Sequence, residues 1–193
     1  MKRGLFFLAI IIFVFNITNA QNRKIDTTLQ YGHAGYRVTV DNKNLEKNLI
    51  NIRPVGFENT ARDMSFYIKG KVVKAQTDDF NNDGFPDLVI YVYTGTNSEK
   101  GTVIGVASSE NKSNAGIYFP DILDDPKLRI GYKGFDEFSL MEGSLLRKFP
   151  IYSTADSTGK SVVTGKRVII YRVVTDPGGG MKFKAMNSYD LKE

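Results

Sequence analysis

Residues 167–186 read RVIIYRVVTDPGGGMKFKAM, and this stretch decides the fold class. Two runs rich in β-branched and aromatic residues flank residues 176–180, where one proline and three glycines follow an aspartate. Such a composition is typical of a short connection that reverses the chain between two strands. Residues 167–174 and 181–191 are therefore predicted to be neighbouring antiparallel strands.

Similar runs recur upstream, separated by turn-forming residues, at 36–41, 65–77, 87–94 and 102–108. Short strands with this spacing indicate an all-β sandwich or barrel. The Gly70-Lys71 step predicts a bend or a bulge within the second run. We expect an antiparallel β-sandwich-like single domain.

Two segments depart from the strand pattern. Residues 45–50 are compatible with one short helix, which would need tertiary support because so short a helix is marginal by itself. Residues 119–138 contain prolines, acids and glycines in place of alternation, which predicts a long ordered loop.

The N-terminus has the form of a secretory signal peptide. Lys2 and Arg3 precede an apolar run at residues 5–15, and the small residues Thr18 and Ala20 offer a cleavage site. The run is too short to span a bilayer. Residues 1–20 are therefore predicted to be a signal peptide and residues 21–193 a periplasmic or secreted domain with no membrane insertion after cleavage near Ala20.

Composition narrows the function classes. The chain has no cysteine, which excludes disulfides and thiolate metal sites. Loss of Lys2 and Arg3 with the signal peptide lowers the formal charge from +5 to +3, and the basic residues form no stripe, so no nucleic-acid partner is expected. A catalytic triad would have to use His33, the only histidine. The prediction is a protein that binds and is not an enzyme, although a pair of carboxylates remains an open alternative.

One motif has the spacing of a calcium loop. Residues 79–87 read DFNNDGFPD and place oxygen ligands at Asp79, Asn81 and Asp83 before a glycine, with Asp87 as a fourth candidate. Residue 90, where an EF-hand carries its bidentate glutamate, is an isoleucine. The same residues also suit an Asx-rich turn leading into a strand, so calcium is a possible cofactor and both interpretations stay open.

A small, polar segment lies between two predicted strands and indicates a protruding hairpin loop. Such a loop can fill the cleft of a partner, or it can serve only as a connection. Its candidate partner-binding residues are Thr96, Asn97, Ser98, Glu99, Lys100 and Gly101.

Several ordered motifs resemble the periplasmic inhibitors of i-type (invertebrate-type) lysozymes. The resemblance covers roughly residues 65–190. It rests on residues 70–75, the turn at 79–87, the strand at 88–93, and downstream motifs at 111–113, 117–120, 124–127, 131–132, 136–138 and 146–152.

The resemblance implies an all-β domain, often dimeric, that pushes a loop into the substrate cleft of a lysozyme toward its catalytic carboxylates. In that family the loop carries a Ser-Gly-x-x-Tyr-Gly-like pattern. Here Asn97 stands at the position of the serine, Ser98 at that of the glycine and Lys100 at that of the tyrosine. We expect Asn97, Ser98 and Lys100 to form the contact tip, with Thr96 and Glu99 shaping it.

The leading prediction is thus an exported protein that blocks an i-type lysozyme and works without a cofactor. One alternative is a calcium-stabilised carbohydrate- or protein-binding module of the cell envelope. The other is an envelope enzyme that uses a carboxylate pair.

Overall fold

The computed structural model describes residues 24–58, 61–154 and 157–192, and the predicted signal peptide lies outside these ranges. The described chain forms two β-sheets, which confirms the all-β, sandwich-like fold. Its twelve strands are β1 (Ile25–Tyr31), β2 (Ala34–Val40), β3 (Asn48–Val55), β4 (Met64–Ile68), β5 (Lys71–Asp78), β6 (Asp87–Thr94), β7 (Lys100–Ser109), β8 (Ser113–Tyr118), β9 (Glu137–Met141), β10 (Ser144–Tyr152), β11 (Val163–Thr175) and β12 (Met181–Lys192).

The smaller sheet is a simple antiparallel meander in the order β1-β2-β3-β4. Burial alternates along β2 and β3, because one face of the sheet packs on the core and the other meets solvent. Val38 and Ile52 are paired across the two strands and both lie fully inside.

The larger sheet has eight strands in the order β5-β6-β7-β8-β12-β11-β10-β9. All its neighbours are antiparallel except β8 and β12, which run parallel and share two residue pairs. The predicted hairpin is confirmed, since β11 and β12 pair antiparallel around the turn at residues 176–180.

This sheet curls until its two outer ends approach each other. The Gly143 amide, between β9 and β10, donates to the Asp78 carboxylate at the end of β5 over 3.1 Å. Phe138 on β9 stacks on Tyr91 of β6 with ring centroids 5.6 Å apart. The curl encloses one hydrophobic core, to which Tyr91, Phe149 and Phe183 contribute large buried side chains.

Strand β6 is buried on both faces, which explains its uninterrupted apolar sequence. Val89 and Tyr91 point into the curled sheet. Leu88, Ile90 and Val92 point the other way and pack against the four-stranded sheet, in a second core that includes Tyr36 and Ile50.

The predicted strand over residues 65–77 is wrong as a single element. β4 and β5 belong to different sheets, and the chain crosses between them at Lys69-Gly70. Gly70 has φ +114°, a backbone conformation that residues with a Cβ rarely adopt, and its amide donates to the Leu45 carbonyl over 2.7 Å. The predicted bend is therefore a change of sheet.

The predicted helix at residues 45–50 is also wrong, because residues 48–50 begin β3. Asn48 is buried there and donates to the Asn42 side chain over 2.8 Å and to the Gly70 carbonyl over 3.1 Å. These tertiary hydrogen bonds and the inward Ile50 favour a strand over an isolated helical turn.

The predicted long loop is present and ordered as residues 119–136, with one 3₁₀ turn at Ile122–Asp124. The Arg167 guanidinium fixes it by donating from Nη1 to the carbonyls of Lys127, Leu128 and Ile130 at 2.9 to 3.2 Å. Within the described ranges there is no helix long and apolar enough to cross a membrane.

Candidate functional site: the β6–β7 loop and its base

The predicted partner-binding loop connects β6 to β7 and extends from the sheet as residues 95–99. Thr96, Asn97 and Ser98 are exposed. The Ser98 amide donates to the Gly95 carbonyl over 3.1 Å, with Gly95 and Ser98 both at positive φ. The loop is thus a tight turn with its polar side chains directed to solvent.

Glu99 holds this turn from within. Its Oε2 atom accepts a hydrogen bond from the Asn97 amide over 2.9 Å, and a Cβ on Gly95 would lie only 2.3 Å from the Glu99 carboxylate. The side chain therefore folds back across the loop. A side chain larger than hydrogen at position 95 would displace the Glu99 carboxylate.

Lys100 begins β7 and is exposed, whereas Gly101, the next residue, is buried. Asn97, Ser98 and Lys100 are therefore available to a partner. Gly101 has no side chain to present and belongs to the base of the loop.

A buried ion pair lies directly under that base. Asp136 and Arg147 are 5% and 2% exposed, and Arg147 Nε donates to Asp136 Oδ1 over 2.7 Å. The Gly101 amide donates to Asp136 Oδ2 over 2.8 Å, and Arg147 Nη2 donates to the Gly101 carbonyl over 3.4 Å. The ion pair therefore binds both backbone groups of Gly101, the second residue of β7.

Aromatic rings surround this ion pair. The Arg147 guanidinium carbon lies 5.2 to 5.8 Å from the ring centroids of Phe119, Tyr132, Phe138 and Phe149. The Tyr132 hydroxyl donates to Asp136 Oδ2 over 2.6 Å and accepts from Arg147 Nη2 over 3.1 Å. No buried side-chain nitrogen or oxygen of the cluster lacks a hydrogen-bond partner, as a buried charge requires.

Burial raises the pKa of Tyr132, and its hydrogen bond to Asp136 raises it further. For Arg147, burial acts to lower the pKa, but the hydrogen bond and negative charge of Asp136 outweigh it and the pKa is raised. Both shifts favour the protonated hydroxyl of Tyr132 and the charged guanidinium of Arg147.

A second contact fixes the loop from the side. The Phe135 amide donates to the Glu99 carbonyl, and a Cβ on Gly134 would lie 2.6 Å from that oxygen. Residues 134–136 and 99–101 therefore form one unit, joined by backbone and carboxylate hydrogen bonds.

Beside the loop base lies a cavity of about 240 Å³. One part of its wall is polar and includes Lys100, Thr102 and Arg147. The other part is aromatic and apolar and includes Phe119, Leu123 and Tyr132. The loop therefore stands next to a recess that a partner's side chain can enter.

The sequence did not identify Arg147 as part of this site. Asp136 and Arg147 are eleven positions apart and meet across the β9–β10 hairpin, so their pairing is not visible as a local motif. The sequence does contain one signal of a buried charge, because Arg147 directly follows two leucines, Leu145 and Leu146.

The calcium-like turn is closed by its own hydrogen bonds. Asp79 accepts from the amides of Asp83 and Gly84 at 3.0 and 2.9 Å, and Asp83 accepts from the Phe85 amide at 2.9 Å. The Asn81 side-chain amide donates to Asp83 over 2.8 Å. This is the Asx-rich turn that the sequence offered as one interpretation.

Asp87 faces the protein interior. Its Oδ2 accepts from the amides of Phe80 and Asn81, and its Oδ1 from the amide of Ser108 at 2.9 Å. Burial raises the pKa of Asp87 to about 7, against the three N–H donors, which lower it. Asp87 thus ties the turn to the end of β7.

Over residues 24–58, 61–154 and 157–192, no group of three or more acidic, histidine or cysteine side chains is arranged to hold a metal ion. His33 is exposed in the turn between β1 and β2. Of the predicted sites, the β6–β7 loop is therefore the one with the most developed structure. Gly101 forms its base, and residues 134–136 flank it.

No family model matches the chain, and no curated protein and no solved structure matches it either.

Proposed function

We propose that this chain is an exported binding protein that blocks the substrate cleft of a lysozyme with its β6–β7 loop. The single observation that carries the proposal is the clamping of the loop base. Asp136 and Arg147 hold both backbone groups of Gly101, while residues 95–98 and Lys100 are exposed. A loop fixed before binding loses little conformational entropy when it enters a cleft.

The charges of the loop also support the proposal. Glu99 would be repelled by catalytic carboxylates, but its own carboxylate accepts from the Asn97 amide and lies back across the loop. Lys100 is the exposed charge that remains for a partner. An ammonium group that meets a carboxylate in a desolvated cleft makes a charge-assisted hydrogen bond.

The partner class follows from this chemistry together with the resemblance described above. Glycoside hydrolases of the lysozyme type place two carboxylates on either side of the scissile bond. Ser98 and Asn97 add neutral hydrogen-bonding groups beside Lys100, so the tip matches an acidic, polar cleft. The inhibitor itself performs no reaction.

The test is inhibition of peptidoglycan lysis by i-, c- and g-type lysozymes, with the chain from Gln21 as inhibitor. We expect dose-dependent inhibition of the i-type enzyme, and roughly tenfold weaker inhibition by Lys100→Ala or Ser98→Ala. Lys74→Ala, which removes an exposed lysine from β5, is the matched control and should inhibit like the unmodified chain. Failure to inhibit any of the three classes would refute the proposal.

The alternative function, a calcium-stabilised binding module, would use Asp79, Asn81, Asp83 and Asp87 as ligands. A ligand that binds only the folded state raises the melting temperature. Because Asp87 directs both oxygens at backbone amides, we expect millimolar calcium to leave the melting temperature unchanged. A calcium-dependent rise that Asp83→Ala abolishes would favour the module instead.

Export and dimerisation complete the proposal. Cleavage near Ala20 is checked by N-terminal sequencing of the exported protein. Light scattering at several concentrations measures whether the mature chain is a dimer, as the resemblance implies.

A further inference from the structure

Phe135 is an exposed aromatic residue in a conformation that disfavours it. Its φ is +64°, in the left-handed region that bulky side chains rarely adopt. The residue is 51% exposed, so about half of its surface is open to a partner. Within the described ranges its ring stacks on no other aromatic ring.

The residue is fixed relative to the β6–β7 loop. Its amide donates to the Glu99 carbonyl, and the next residue, Asp136, accepts from the Gly101 amide over 2.8 Å. Gly134 lies so close to the Glu99 carbonyl that only glycine fits there. Contacts of Phe135 and of its two chain neighbours thus hold the residue beside the loop.

The loop itself offers a partner only small and polar side chains, together with Glu99 and Lys100. Tight protein interfaces are usually dominated by a few large side chains, aromatic ones prominent among them. Such a side chain must therefore come from a neighbouring segment, and Phe135 is the exposed aromatic residue hydrogen-bonded to the loop.

We propose that Phe135 is the aromatic anchor of the partner-binding surface, and that it packs on the apolar wall of the glycan-binding cleft that receives the β6–β7 loop. This inference rests on the proposed function. Ligand clefts are lined mainly by apolar and aromatic side chains, with few polar groups to set orientation. Lys100 and Ser98 meet the polar groups of the cleft, and the Phe135 ring covers its apolar rim.

The strain makes a sharp experiment possible, because stability and binding should respond in opposite directions. Phe135→Gly removes the ring and also the steric cost of positive φ. We expect its melting temperature to equal or exceed that of the unmodified chain, while its affinity for the inhibited lysozyme falls roughly tenfold or more. A residue with only a structural role would not lose affinity while gaining stability.

Two further variants complete the design. Phe135→Tyr keeps a ring and should retain affinity within about threefold. Tyr189→Ala removes an exposed aromatic side chain from β12 and is the control for general loss of apolar surface. Affinity is measured by calorimetry with the lysozyme that the unmodified chain inhibits.

Each outcome decides between the two proposals. Unchanged affinity of Phe135→Gly for a lysozyme that the unmodified chain binds would overturn the anchor and leave the proposed function standing. An equal loss in Tyr189→Ala would also overturn the anchor. Absence of binding by the unmodified chain to i-, c- and g-type enzymes would overturn both.

Discussion

Arg147 is the residue on which the geometry of the candidate site depends most. It donates to Asp136 at 2.7 Å and to Gly101 at 3.4 Å, with four aromatic rings around it. A buried ion pair is poor evidence of extra stability, because desolvation offsets the attraction between the charges. Removing one partner is strongly destabilising, because the other charge then stays buried without a counter-charge.

We therefore expect Arg147→Met to lower the free energy of unfolding by about 3–5 kcal/mol, measured by urea denaturation. The control is Arg37→Met, which breaks the ion pair with Asp26 on the solvent face of the small sheet. Surface pairs contribute little, so this variant should resemble the unmodified chain. Equal stabilities of the two variants would show that Asp136 does not need its partner.

Asp87 gives a prediction on pH dependence. Its pKa is raised from 3.8 to about 7 in the folded chain, chiefly by burial. Between those values the folded chain binds a proton that the unfolded chain has lost, so the stability that Asp87 contributes is greatest at low pH and is lost as pH rises to 7. The expected loss is at most about 1.4 kcal/mol per pH unit.

Asp87→Asn isolates this effect, because an amide does not titrate. We expect the variant to be less stable, because its NH₂ group is a donor placed against a backbone N–H donor and loses that hydrogen bond. The difference in unfolding free energy between the unmodified chain and the variant should shrink from about pH 5 to about pH 8. A difference that is constant over this range would contradict the raised pKa.

At the scale of elements, the junction of the loop with β7 requires a small residue at position 101. A Cβ on Gly101 would lie 2.7 Å from the Phe138 ring and 2.8 Å from Asp136 Cβ. The close approach lets both backbone groups of Gly101 reach the buried ion pair. The rigid base of the loop therefore depends on the absence of a side chain at position 101.

Gly101→Ala should destabilise the chain by about 1–3 kcal/mol through overpacking, as measured by urea denaturation. It should also increase amide exchange across residues 95–100, because the ion pair is displaced from the loop. Gly116→Ala in β8 is the matched control, since nothing lies within 4 Å of its added Cβ. Similar exchange in the two variants would count against a clamped loop.

The elements also differ in how far the sequence predicts them. The sequence predicts β6 and β12 closely, and β11 only from residue 167, because local runs of β-branched and aromatic residues suffice to define them. The sequence predicts a helix where β3 begins, since Asn48 is polar and becomes a strand residue only through contacts with Asn42 and Gly70. β1, β8, β9 and β10 were not predicted, as their alternation is short or mixed with polar residues.

At the scale of the whole molecule, β6 is the layer between two cores. The outer surface of β5, β6 and β7 carries Val72, Leu88, Ile90, Val92 and Val106, all covered by the four-stranded sheet. Burial of each such side chain contributes roughly 1.5–3 kcal/mol. The small sheet is thus part of the folding unit.

A chain that starts at Gly70 lacks β1–β4 and exposes this surface. We expect it to lose cooperative unfolding or to aggregate, since the uncovered face is a contiguous apolar patch. Thermal unfolding followed by circular dichroism, compared with the chain from Gln21, measures the difference. A cooperative transition at an unchanged temperature would mean that the eight-stranded sheet folds alone.

The sequence by itself determined the fold class, the β11–β12 hairpin and the polar loop after β6, because hydrophobic runs and turn residues act over a few neighbouring positions. Tertiary structure alone decided that residues 65–77 divide between two sheets and that β6 is buried on both faces. It also brought Asp136, Arg147 and Phe135 to the base of the loop. These contacts join residues distant in the chain, and only the curl of the sheet and the packing of its core bring them together.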